Sequence, residues 1–110
     1  MREAFAVAWH QTAVRTFPIH GGSVQASSQD ADGLVGLSVA IYNNFWRGYE
    51  GDFGRTSCPV VARCVRPFLH ADGRRAIAYL IQYNGLYYPI KQSTILTCLS
   101  SDQRAARRSA

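Results

Sequence analysis

Asn84-Gly85 is the most restrictive feature of this 110-residue chain. It stands between two apolar runs, residues 75–83 and 86–91. Both of its residues tolerate the positive φ that a two-residue hairpin turn demands. Upstream, Asp72-Gly73 offers a second turn signal. Together they predict an antiparallel meander over residues 59–99, with strands over 59–69, 75–83, 86–91 and 94–99. In the strand over 75–83, Ile77, Tyr79, Ile81 and Tyr83 alternate with Ala78, Leu80 and Gln82. Both sets are largely apolar, so this strand is expected to be central and covered on each face.

The rest of the chain is less constrained. Residues 2–15 are rich in helix formers and place Phe5, Ala8, Trp9 and Thr12 on one helical face, which predicts a helix. The rival is a strand with Phe5, Val7 and Trp9 pointing one way. Residues 18–33 are polar and rich in Gly and Ser, the composition of a long connection. Residues 34–46 fit two templates. Val35, Leu37, Val39 and Ile41 alternate as in a strand, while Leu34, Leu37, Ile41 and Phe45 share a helical face. Internal glycines, β-branched residues and Asn43-Asn44 favour the strand. Residues 47–57 carry three closely spaced glycines and read as a loop. Residues 101–110 read as a frayed basic tail following a single domain over 1–100.

The fold class expected is therefore α+β and mostly β. An N-terminal helix packs on a curved five-stranded antiparallel sheet or small barrel. The alternative is a helix over 34–46 lying on a four-stranded meander.

No apolar run is long enough to cross a bilayer, and the N-terminus lacks a signal-peptide cleavage pattern, so a cytoplasmic location is expected. Three cysteines, Cys58, Cys64 and Cys98, cannot form a complete disulfide set and read as small buried hydrophobes. Cys58, Cys64 and His70 recur in steps of six, which would spread ligands by roughly 20 Å along an extended strand, so no metal is expected. Asp30-Ala31-Asp32-Gly33 echoes a calcium loop, but Val39 falls where a bidentate Glu is required. No cofactor motif is present, since Gly21-Gly22 lacks the Gly-Lys-Ser/Thr ending of a phosphate loop.

Net charge is +5, distributed unevenly. Residues 1–52 hold three Arg against five acids. Residues 53–110 hold nine cations against Asp72 and Asp102 alone. Eleven of the twelve cations are Arg, the residue suited to bidentate contacts with phosphate or carboxylate. Arg63, Arg66, Arg74, Arg75 and Lys91 fall on the meander and form the candidate nucleic-acid-binding set. Arg104, Arg107 and Arg108 fall on the tail.

A second constellation is aromatic. Phe45, Trp46, Tyr49 and Phe53 are interleaved with arginines and glycines, a pattern that can stack bases, although Glu50 and Asp52 repel phosphate. The plainer reading has Phe45 and Trp46 finishing a core element. Tyr79, Tyr83, Tyr87 and Tyr88 crowd the second hairpin, where cross-strand aromatic pairing accounts for them. A pocket lined by Trp46, Tyr49, Phe53, Tyr79 and Tyr87 is the functional version.

His10, His20 and His70 are isolated from any nucleophile motif, so no enzyme activity is expected. The leading expectation is a non-catalytic binding module for nucleic acid or another anionic partner. The alternatives are a protein-interaction module, acting on a partner or as a homodimer, and a small-ligand binder. No membrane partner is expected.

Overall fold

The computed structural model describes residues 4–7, 23–27, 30, 32–47, 54–70 and 72–109. Eight strands run through them: β1 (Ala4–Ala6), β2 (Ser23–Ser27), β3 (Ser38–Ile41), β4 (Thr56–Cys64), β5 (Phe68–Leu69), β6 (Arg75–Ala76), β7 (Ala78–Tyr83) and β8 (Leu86–Lys91). Three helices accompany them: α1 (Asn43–Arg47), α2 (Gln92–Cys98) and α3 (Ser101–Ser109). The fold is mostly β, a curled antiparallel sheet with two helices at its C-terminal end.

The meander is present as far as Lys91, without the last of its four expected strands. Asn84 at φ 52° and Gly85 at φ 78° form the turn between β7 and β8, whose register runs from Tyr83 opposite Leu86 to Ala78 opposite Lys91. At the other turn the His70 and Gly73 amides bond to the Arg74 and His70 carbonyls, closing the short β5–β6 ladder. The sheet order is β1-β2-β4-β7-β8, and β3 pairs with the same long strand, β4. The sheet curls until a single parallel bridge, Val7 with Tyr87, brings β1 against β8. The rings of Phe5 and Tyr87 meet edge to face there at 4.9 Å.

β7 is central and covered on both faces. Tyr79 and Ile81 belong to one apolar cluster, Ala78 and Leu80 to another, and all four are buried. A bulge in β4 lets one strand serve both clusters. Val60 lies opposite Ile81 and Ala62 opposite Leu80, so Val61 is the extra residue. Before it Cys58 and Val60 face the first cluster, and after it Ala62 and Cys64 face the second. The bulge therefore flips the inward parity within one strand.

Five expectations are corrected. The N-terminal helix is absent where residues are described: Ala4–Ala6 is strand β1, and Phe5 and Val7 pack against the second cluster. The alternation of Phe5 with Val7 outweighs helix propensity, because pairing with β2 covers the strand. The remainder of that proposed helix lies outside the described residues. Residues 18–33 contain β2, whose Val24 is buried between neighbouring strands, too little apolar signal to read locally. Residues 34–46 are neither all strand nor all helix. Gly36, at φ 96°, turns the chain into β3, and α1 follows despite Asn43-Asn44.

The last two corrections concern the C-terminus. Residues 94–99 are not a strand but most of α2, which starts at Lys91 without any side-chain cap. Its Ile95, Cys98 and Leu99 are buried in the first cluster, and that burial overrides the β-branched residues Thr94, Ile95 and Thr97. Residues 101–109 are the helix α3 rather than a frayed tail. A reciprocal cap begins it: the Ser100 hydroxyl accepts the Gln103 amide at 3.1 Å, and the Gln103 side chain accepts the Ser100 amide at 2.9 Å.

Among the described residues no helix is long and apolar enough to cross a membrane.

Candidate anion-binding surface

Charge balance among the described residues is lopsided. Arg74 is the only described cation with a carboxylate at ion-pairing distance, its Nε 2.6 Å from Asp72 Oδ2. The Arg74 amide donates to the same carboxylate at 3.0 Å. That backbone bond first, and the guanidinium second, hold the Asp72 carboxyl below its ordinary range. Both partners are exposed, so the pair shapes the turn more than it stabilises the fold.

The structure gathers two of the five meander cations. Arg66 and Arg75 line one shallow depression of about 150 Å³ with Pro67 and Leu69. They meet because β5 and β6 pair, with Leu69 opposite Arg75. Arg63 is elsewhere: it lies opposite Tyr79 on β7 and Ser27 on β2, half-buried on the face of the first cluster. Lys91 ends β8 opposite Ala78 and leads into α2. Arg74 is occupied by Asp72.

The aromatic candidates scatter. Trp46 is fully buried, its indole N–H directed at the Ile41 carbonyl at 3.3 Å. Its ring lies 5.4 Å from Tyr83, 5.1 Å from Tyr88 and 5.1 Å from Phe45. It forms the centre of an aromatic core and offers no outer surface. Tyr49 and Phe53 lie outside the described residues. Tyr79 faces the first cluster, whereas Tyr87, opposite Gln82, lies on the other face against Phe5. Tyr79 and Tyr87 thus share no cavity. The hairpin tyrosines also pair with other residues across the strands, Tyr79 with Ile90, Tyr83 with Leu86 and Tyr88 with Ile81.

Two groupings escaped the sequence reading. The first is the helical face shared by the three arginines that the sequence placed on a frayed tail and that stand on α3. Arg104, Arg107 and Arg108 stand at i, i+3 and i+4, one face of a helix. With Leu96 and Leu99 they line a depression of about 340 Å³. Arg104 donates to the Thr97 carbonyl at 3.0 Å, and Arg107 donates to the Asp32 carbonyl. Gln103 Nε2 donates to the Ser38 carbonyl at 2.7 Å and fixes the helix against β3. The available signal was the Ser-x-x-Gln box at residues 100–103 combined with that arginine spacing.

The second grouping is Tyr79 with Asp30 and Asp32. The Tyr79 hydroxyl lies 2.8 Å from Asp32 Oδ2 and 3.2 Å from Asp30 Oδ1. Asp30 also accepts the Leu34 amide at 3.2 Å and the Val35 amide at 2.9 Å. Burial first, then the bond to Asp32, pushes the phenol well above its ordinary pKa. The hydroxyl stays protonated and anchors Asp30 and Asp32.

The three cysteines are buried, and burial drives the Cys58 thiol to about 11 and the Cys64 thiol to about 12. Burial raises Cys98 as well, against weaker opposing effects of the Tyr42 amide and Arg55. Cys58 and Cys64 face opposite clusters. Such thiols are packing groups.

No family model, curated protein or solved structure matches the chain.

Proposed function

We propose that the protein is a non-catalytic binding module for an anionic partner, with nucleic acid as the foremost candidate, engaged through basic residues of the meander. The observation that carries this reading is the uncompensated charge. Arg66 and Arg75 converge on one depression, and neither has a carboxylate partner among the described residues. Guanidinium groups left in that state attract phosphate oxygens and release counterions on contact. Arg63 and Lys91 add to the same positive field without lining that depression. With Trp46 enclosed in the core, the contact is with the phosphate backbone rather than with stacked bases, so binding tolerates sequence changes.

Binding of a labelled single-stranded oligonucleotide across a salt series tests this. Affinity should fall steeply with salt, and Arg66→Gln/Arg75→Gln should reduce the slope of log K against log salt by about 1.4. Affinity that is indifferent to salt, or a slope unchanged in the double variant, would rule the reading out.

A further inference from the structure

The depression between α2 and α3 shares no lining residue with the one at Arg66 and Arg75 and has more than twice its volume, about 340 against about 150 Å³. We propose that it docks an acidic peptide segment of a partner protein. An apolar side chain of that segment sits on Leu96 and Leu99, and its flanking carboxylates meet Arg104, Arg107 and Arg108.

Two observations lead there. First, the cations are prearranged. Arg104 and Arg107 each use part of the guanidinium on a backbone carbonyl, which holds the side chain in place, and neither spends it on a carboxylate. The remaining N–H donors are therefore offered at low entropic cost. Second, the lining includes two leucines. Leu99 is 7% exposed and part of the core, and Leu96 packs against it. A ligand presenting only charged oxygens would leave the half-buried Leu96 wet. A ligand with an aliphatic or aromatic group between its charges would cover it. An acidic, apolar-centred peptide therefore matches both the cations and Leu96.

The chain's own acids do not supply the occupant among the described residues. Asp30 and Asp32 are held by Tyr79, Asp72 by Arg74, and Asp102 stands in the first turn of α3 itself, outside the lining.

Fluorescence anisotropy with the full chain tests the proposal. The probes are short labelled peptides, each with one Leu, Phe or Met flanked by Glu on both sides. Saturable binding is expected, lost when Gln replaces Glu and weakened by about tenfold when Ser replaces the apolar residue. These peptide changes leave the protein untouched. On the protein, Arg108→Gln should weaken binding by about tenfold, since Arg108 has no ion-pair partner among the described residues to disturb. Arg66→Gln/Arg75→Gln should leave peptide affinity unchanged while lowering oligonucleotide affinity, which separates this site from the one proposed above. The proposal is overturned if no peptide binds saturably, or if the Ser peptides bind as well as the apolar ones. It is overturned equally if oligothymidylate displaces the peptides and loses the same affinity in Arg108→Gln.

Discussion

Replacing Tyr79 by Phe removes one oxygen and leaves the ring where it packs. Tyr79 is fully buried near the start of β7, so no cavity opens beyond the hydroxyl itself. What is lost is the bond to Asp32 at 2.8 Å and the weaker approach to Asp30 at 3.2 Å. A hydroxyl carries one proton, so it serves one carboxylate at a time and the two contacts do not add. Hydrogen bonds to charged groups contribute about 1.5–3 kcal/mol. Asp30 and Asp32 are half-buried, so water replaces part of the lost bond, and the expected cost is about 1.5–2 kcal/mol. That corresponds to a Tm lower by roughly 10 °C for a domain of this size. Urea unfolding near neutral pH should show a lower midpoint with an unchanged slope.

The pH dependence supplies an independent check. The folded-state pKa of Tyr79 lies above the unfolded value near 10, so its contribution is complete below about pH 10 and declines as pH rises beyond that. Tyr88 and the cysteines weaken both proteins alike in alkali. The gap between wild type and variant should therefore hold steady to about pH 9 and narrow above about pH 10. A loss below about 0.5 kcal/mol, or a gap that widens in alkali, would refute the argument.

Other measurements follow from the same structure. Ser100→Ala should lower stability by about 1 kcal/mol and reduce helical circular dichroism, because α3 loses its reciprocal cap. Gly85→Ala should cost about 1–2 kcal/mol through backbone conformation alone, since φ is 78° and nothing lies within 4 Å of an added Cβ. Native protein at mildly alkaline pH should leave Cys58 and Cys64 unmodified by a thiol reagent, with reaction appearing only across the unfolding transition.

The parts legible in sequence are those fixed by two or three adjacent residues. Asn84-Gly85 and Asp72-Gly73 each need left-handed backbone, and few other dipeptides supply it, so the meander up to Lys91 could be read directly. The centrality of β7 was equally plain, because both of its faces carry apolar side chains. What failed depended on distant partners. β2 contributes one fully buried valine and exists because β1 and β4 flank it. α2 begins at an uncapped lysine and exists because Ile95, Cys98 and Leu99 have a core to enter. The bulge at Val61 has no local sequence mark, yet it decides which face Arg63 takes. Of the basic set, the pairing of β5 with β6 brings Arg66 and Arg75 together, while Arg63 stays on the sheet and Lys91 starts a helix.

The C-terminal helices tie the stability of the sheet to the surface proposed for binding. β3 pairs with β4 along one edge, and its Ser38 carbonyl is taken by Gln103 of α3, while α2 packs beside it. Covering that edge removes a template for strand addition by another chain. The helix doing so must present a polar outer face, and arginines at i, i+3 and i+4 supply one. Arg107 then joins this face to the Tyr79 cluster, since its guanidinium bonds to the carbonyl of the same Asp32 whose carboxylate holds the Tyr79 hydroxyl. Loosening Asp32 in Tyr79→Phe should therefore weaken peptide binding at α3 by a factor of a few, without touching any lining residue. Oligonucleotide binding at Arg66 and Arg75, which no bond connects to Asp32 among the described residues, should remain as in wild type. Equal loss at both sites would mean that the substitution acts only by destabilising the fold.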